Sequence, residues 1–431
     1  DQPDTYNGEV VSAKASLVAV NQWHSTEWAD YSRSFDGCNN LLTTGADTYY
    51  DSGWKTNGVI DGYRPEPTTM RRTFAECDSY GPAGIDCDIN LWQTSSLVSF
   101  FETFERTNVF DQPIGDLDTS AVETFERMFV ASNFNTDLGR DFVTAAATIT
   151  TEMFKATPYN NAGVDNVRYW EMRNVENMNG MFGNSFDQPV ADWDTSSTNS
   201  YEDLFGNSFN QPLTGFVDES IVNMSGMLGT SFNQDMSSWK TRNVESMERL
   251  FRRNNAIIGN NSISNWDTRS LINASQMLRG TSYNPDLSSW DLSSLRNTDL
   301  MLFENNGFNG QIGNGPLTLT RCRLMFKDAG AYNQNIGDWD FSGASNFDQG
   351  GGRFALGASS WTVANLVSTL EGWETNGNIP SGTRITFDNK LQGELTQSTL
   401  DAYANSGSSG CTLYVRDGNN ADGTPNYTAL N

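Results

Sequence analysis

A pattern of large apolar residues returns about every 23 to 25 positions along this chain, and a chain with such a period folds by stacking one copy on the next. FDQPVADWDTSSTNSYEDLFGNS at 186–208 is followed by FNQPLTGFVDESIVNMSGMLGTS at 209–231 and FNQDMSSWKTRNVESMERLFRRN at 232–254. Phe186, Phe209 and Phe232 open these copies, and the apolar pairs ending in Phe205, Leu228 and Phe251 close them. Anchored on the closing residue, the register catches Trp239, Val244, Met247 and Phe251 in one copy and Trp170, Val175, Met178 and Phe182 in another. It also reaches Trp92, Leu97, Phe100 and Phe104 and fades beyond Trp339, so the repeats occupy residues 18–351.

One such copy has too few apolar side chains to offset the entropy of ordering its backbone, so neighbours must complete its core. The expected fold is an α/β repeat solenoid of leucine-rich-repeat-like coils, about 12 to 13 in number, with one short strand per coil in a parallel β-sheet. The strand is placed at 211–216 in the coil opening at Phe209. Val244, Met247, Leu250 and Phe251, at spacings of three and four, read as a short helix or turn. Residues 1–17 are expected as an N-terminal cap or connector strand, and 352–431 as a C-terminal αβ capping unit. In that cap, helical patterns cover 363–373 and 395–403, and strand patterns cover 383–387 and 411–415.

The opening aromatics are followed by Asn135, Asn160, Asn210, Asn233, Asn284, Asn309 and Asn333, often with Gln next. Stacked carboxamides satisfy one another and the turn backbone, so the column reads first as a structural turn ladder. The competing reading is a flat amide and aromatic face that binds glycan or an ordered surface.

Copies such as FNQDMSSWKTRNVESMERLF and YNPDLSSWDLSSLRNTDLML resemble the repeats of BspA-like leucine-rich-repeat surface proteins, in their Phe-Asn-Gln-Asp, Trp-Asp-Thr-Ser and Met-x-x-Met-Phe variety. The resemblance covers about three quarters of the chain and departs from the pattern at 140–165 and 252–262. It implies an extracellular or cell-surface protein that mediates adhesion and protein contacts without catalysis in the repeats.

A net charge of −26 excludes nucleic acid and anionic membranes as natural partners, and favours divalent cations or a basic partner. No apolar run is long enough to insert in a membrane, and Asp1 reads as the processed terminus of a secreted chain. Sequons at Asn223, Asn260, Asn273 and Asn426 are compatible with N-glycosylation. Of five cysteines, Cys38 and Cys77 each follow a closing Phe by three residues, which makes a Cys38–Cys77 disulfide plausible, with Cys77–Cys87 as the competing pair. Cys322 takes a slot held elsewhere by Met178, Met224 and Met247.

Catalysis has little to stand on: the chain has one histidine, His24, and no nucleophile elbow, zinc-protease motif or P-loop. Asp116 with Asp118, Asp192 with Asp194, and Asp338 with Asp340 flank the Trp slot. These pairs suit turn capping, a column of structural Ca²⁺ sites, or general acid/base work; their repetition argues against the last, since an active site needs one special pair. The functional expectation is a non-enzymatic extracellular subunit that self-associates through its end segments into a fibre or cell-surface coat. The alternative is a monomeric adhesin-like module that grips an extracellular protein or glycan by its lateral face.

Overall fold

The computed structural model describes residues 66–77, 92–108, 110–257, 262–313, 317–345 and 354–378, with Ser32, Arg33, Ile89 and five strands outside these spans. The chain divides into two compact units, Asp1–Pro212 and Leu213–Asn431.

The α/β solenoid expected from the sequence is not what forms. Among the described residues of 66–345 there is no α-helix and no β-strand, and successive copies meet only at single-residue parallel bridges. In the first unit these run Thr69, Ser99, Thr124, Ile149, Asn177; in the second, Asn223, Ser246, Asn273, Asn297, Arg321. The 211–216 segment, expected as a strand, has no regular structure, and Ser246 bridges within the segment expected as a helix or turn.

The backbone around residues 70–76 explains the difference. Met70, Arg72, Phe74 and Glu76 donate their N–H groups to Ser99, Phe101, Thr103 and Glu105 O of the next coil at 2.8–3.0 Å. The intervening Thr73 and Ala75 N–H groups turn back to Met70 and Arg72 O, closing overlapping β-turns. This alternation needs a left-handed residue every fourth position: φ is +53° at Arg72 and +55° at Glu76. The same pairs recur at Glu102 and Arg106, Arg127 and Ala131, Glu152 and Ala156, Arg249 and Arg253, Leu300 and Glu304, and Leu324 and Asp328. A left-handed L-residue costs about 1–2 kcal/mol. Here the N–H of the left-handed residue reaches a carbonyl of the next coil, for example Arg127 to Thr151 O and Ala131 to Lys155 O, both at 2.9 Å. Inward residues still fall at spacings of three and four, as Met70, Thr73, Phe74 and Cys77 do, so burial has a helical period on a backbone that is not a helix.

Aromatic columns fill the interior. In the first unit Phe74, Phe104, Phe129, Phe154, Phe182 and Phe205 stack coil on coil with centroids 5.4–6.1 Å apart. The opening aromatics Phe110, Phe134, Tyr159, Phe186 and Phe209 form a second column at 6.0–6.3 Å, each tucked 3.6–4.0 Å from a member of the first. Offset ring stacks of this kind add about 0.5–1.5 kcal/mol per pair beyond area burial.

Regular elements lie near the chain ends. Strands β1 (Thr5–Tyr6) and β2 (Glu9–Val10) pair antiparallel. Helix α1 (Val363–Asn376) lies on the coil at 333–341: Gly337 and Gly372 touch backbone to backbone, Trp373 Nε1 donates to Ile336 O at 2.9 Å, and Ile336 N donates to Thr369 Oγ1 at 3.1 Å. Strands β3 (Arg384–Phe387), β4 (Thr412–Asn419) and β5 (Pro425–Ala429) form a sheet in that order, β3 parallel to β4 and β4 antiparallel to β5. The helical pattern at 395–403 lies outside the described residues.

Where the turn-run is tight the coils need glycine: a Cβ on Gly206 would lie 2.1 Å from Gly183 O. Gly206→Ala is expected to lower the unfolding free energy by about 3 kcal/mol. Ala131→Gly, which relieves a left-handed alanine, is expected to leave it unchanged or raise it by about 0.5 kcal/mol. Urea denaturation midpoints of the two variants measure both.

Candidate functional site

Most of the recurring polar residues join coils. The side-chain oxygen that follows the opening aromatic accepts the backbone N–H of the same position one coil on. Asp111 Oδ1 takes Asn135 N (2.8 Å), Asn135 Oδ1 takes Asn160 N (2.7 Å), Asn160 Oδ1 takes Asp187 N (2.8 Å) and Asp187 Oδ1 takes Asn210 N (2.9 Å). In the second unit Asn284, Asn309 and Asn333 continue the scheme toward Asn309, Asn333 and Thr362 N at 2.7–3.0 Å. The adjoining glutamines bind back: Gln188, Gln211 and Gln334 donate Nε2 to the carbonyl and side-chain oxygen of Asn160, Asp187 and Asn309. The Asn column is thus a structural turn ladder, and because Asp serves at 111 and 187, the slot requires an acceptor, not an amide donor.

The carboxylates singled out in the sequence are also turn formers. Asp118, Asp194 and Asp340 each accept the N–H two residues on, from Ser120, Ser196 and Ser342, at 2.8–3.1 Å. The Ser120 side chain and then its backbone N–H hold the Asp118 carboxyl below its usual range, and Ser196 does the same for Asp194. Asp192 pairs with Arg168 at 2.6 Å, and Asp116 and Asp338 are exposed. Among the described residues no three His, Cys, Asp or Glu side chains come together to hold a metal ion.

Sequon residues Asn223 and Asn273 occupy bridge positions, where their Oδ1 atoms accept Ser225 and Ser275 N at 2.9 and 3.0 Å. Ser99 and Thr124 do the same work with hydroxyls. N-linked attachment uses Nδ2 and leaves that acceptor in place. Asn426 lies in β5 opposite Gly418, and Asn260 falls outside the described residues. Cys77 is buried, while Cys38 and Cys87 lie outside the described residues. Burial pushes the Cys322 thiol up, as befits an apolar slot.

Charge is arranged differently in the two units. In the first, the left-handed slot alternates Arg72, Glu102, Arg127, Glu152, and the nearly buried Glu105 receives both Arg72 (2.9 Å) and Arg127 (2.6 Å). Arg72 to Glu102, Arg127 to Glu102 and Arg127 to Glu152 close at 2.7–2.9 Å, and Lys155 caps Glu152. In the second, left-handed slots carry Arg249, Arg253 and Gln276, and Arg252 and Arg279 stand three residues after Arg249 and Gln276.

One hollow of about 180 Å³ opens in the second unit between consecutive coils. Its lining includes Gln311, Tyr332, Gln334, Asp338 and Trp339, and it marks a gap in the tryptophan column. Trp239, Trp266 and Trp290 stack at 5.6 and 6.1 Å, and their indole N–H groups donate to Leu213, Met236 and Ile263 O, one coil back. The next coil has no tryptophan: twelve positions ahead of Phe326 stands Asn314, outside the described residues. Trp339 therefore meets no indole; its ring contacts are tilted ones with Phe326 and Phe341. Its N–H has no hydrogen-bond partner among the described residues, and neither does the buried Tyr332 hydroxyl. The sequence reading did not single out this place; the tryptophan missing from the repeat register is the signal that could have found it, whereas Gln311, Tyr332 and Gln334 carried none.

Residues 52–165, 151–262 and 252–361 each match the family described as "Mycoplasma protein of unknown function, DUF285". No curated protein and no solved structure matches the chain. The BspA-like leucine-rich-repeat resemblance is thereby overturned: the matching family is a different one, and the strand ladder that such repeats require is replaced by turns. The fibre subunit and the lateral-face adhesin fall with it, since both rested on that architecture. No helix among the described residues is long and apolar enough to cross a membrane.

Two outcomes are expected from the ladders. Asn309→Asp preserves stability, whereas Asn309→Ala costs about 1 kcal/mol, because only the acceptor for Asn333 N is needed; thermal melting distinguishes them. The depressed aspartates at 118, 194, 286 and 291 stabilise the fold fully above their unfolded pKa and lose that contribution as pH falls through the lower folded value. The melting temperature is therefore expected to hold from pH 7 to about 5 and to drop below about pH 4.

Proposed function

The chain belongs to the DUF285 family, whose function is unknown, and from its own geometry we propose that it is a non-catalytic protein that binds a small polyhydroxylated ligand, a free or glycan-terminal sugar, beneath Trp339. The observation that carries the reading is the hollow of about 180 Å³ where the tryptophan column lapses, since it leaves two unpartnered donors beside a carboxylate and three carboxamides. A space of that size holds the liquid volume of about six waters, which suits a single sugar ring. Sugar hydroxyls donate and accept at once, and this lining offers both: Asp338 accepts, the Trp339 indole and Tyr332 hydroxyl donate, Gln311 can do either, and Gln334, whose Nε2 is bound to Asn309, offers its carbonyl oxygen. Few convergent polar groups in a concave site are what orient a small ligand.

The reading assigns no glycoside hydrolysis to this lining. Asp338 is the one carboxylate among the lining residues, and glycoside hydrolysis needs two flanking the scissile bond. The reading places the protein outside the cell, where such sugars and the sequons at Asn223 and Asn273 are both accessible. It requires no Ca²⁺.

Saturation-transfer NMR and calorimetry with a panel of free hexoses test it. At least one hexose is expected to bind and to be recovered unchanged, with affinity at least 10-fold weaker in Asp338→Asn and in Trp339→Phe. Equal binding by both variants and the parent, or conversion of the sugar, would contradict the reading.

A further inference from the structure

The second unit carries a positive patch that the rest of this acidic chain makes conspicuous. Arg249, Arg252 and Arg253 sit on one coil and Arg279 on the next, directly joined by Arg253 N to Arg279 O at 2.8 Å. Arg253 folds its stem over Gly280, whose missing side chain leaves the space: a Cβ there would stand 3.2 Å from Arg253 Cγ. Arg279 lies 4.8 Å over the Phe303 ring, and Lys327, itself paired with Asp328, approaches the same ring at 4.8 Å.

Acids reach only part of the group, with Glu304 Oε2 beside Gly280. Glu248 lies 3.5 Å from Arg249, Gln276 accepts one Arg279 nitrogen at 2.9 Å, and Arg252 and Arg253 have no carboxylate partner among the described residues. The Nε atoms of Arg252 and Arg279 are buried with no hydrogen-bond partner. Burial, and then repulsion from Arg279, Arg253 and Arg249, depresses the Arg252 guanidinium. In the first unit opposite charges meet across the coils instead, so that Arg72 and Arg127 enclose Glu102 and Glu105. Like charges stacked one coil apart, in a chain with 53 acidic residues to draw on, indicate that the missing negative charge comes from a bound group.

We propose that Arg249, Arg252, Arg253 and Arg279 form a site for an oxyanion, a carboxylate or sulfate either free or borne by a saccharide, held by charge-assisted guanidinium hydrogen bonds. The ligand is compact, because a long polyanion would meet the net charge of −26 beyond the patch. The site is independent of the hollow under Trp339, and Asp338→Asn leaves it intact.

Thermal melting and calorimetry with sodium sulfate, against sodium chloride at matched ionic strength, provide the test. Sulfate at 10 mM is expected to raise the melting temperature by about 2–4 °C in the parent protein. In Arg252→Gln/Arg253→Gln that rise disappears, and the variant melts higher than the parent when sulfate is absent, because the repulsion is gone. A sulfated disaccharide tested alongside tells whether the anion is bound free or carried: tighter binding than inorganic sulfate assigns it to a saccharide, weaker or equal binding to the free ion. An equal sulfate response in parent and variant, no response in either, or a variant that melts lower without anion would overturn the proposal.

Discussion

The left-handed residue at every fourth position of the turn-run is the constraint from which this architecture follows. A coil of this kind must pass its backbone donors to the coil beside it, since donors buried without partners are costly. Left-handed φ at Arg72, Glu76, Glu102 and Arg106 turns alternate N–H groups outward while the residues between them close β-turns. Single-residue bridges therefore do the joining that continuous strands do in a parallel sheet. The strain is compensated by the stacked phenylalanines at Phe104, Phe129 and Phe154 inside and by side-chain acceptors such as Asn135 and Asn160 outside. None of these contacts exists within one coil, so the coils depend on one another.

Much of the packing was legible in the sequence, and the backbone was not. The aromatic columns and the Asn ladder follow from register alone, because identical positions on successive coils must meet. Spacings of three and four at Val244, Met247, Leu250 and Phe251 describe which side chains point inward, and an α-helix and a run of alternating turns share that spacing. What distinguishes them is φ at residues such as Arg249 and Arg253, ordinary arginines with no glycine or asparagine to betray a left-handed turn. The leucine-rich-repeat resemblance reinforced the wrong backbone, since it rested on the same apolar spacing.

The candidate sites arise where the repeat breaks its own rules. The alternating charges of Arg72, Glu102, Arg127 and Glu152 are repeat behaviour, and so are the Asx turns at Asp118 and Asp194. Repetition made the aspartate pairs look like a column of ion sites, yet one aspartate of each pair, Asp118, Asp194 and Asp340, closes its own turn. Trp339 without a stacked indole, and Arg252, Arg253 and Arg279 without a carboxylate partner among the described residues, are exceptions to the repeat. Departures from a repeat are more informative about ligands than the repeat itself, because stacking explains the regular positions completely.

The most direct test of this architecture is native-state amide hydrogen exchange followed by NMR. Protection is expected at Arg72, Phe74 and Glu76, at Glu102, Phe104 and Arg106, and at Met247, Arg249, Phe251 and Arg253, together with the ladder amides of Asn135, Asn160, Asn309 and Asn333. Leu213, Thr214 and Val217 are expected to exchange faster. Continuous protection through 211–216 with rapid exchange at Arg249 and Arg253 would mean that strands join the coils after all, and would contradict this account.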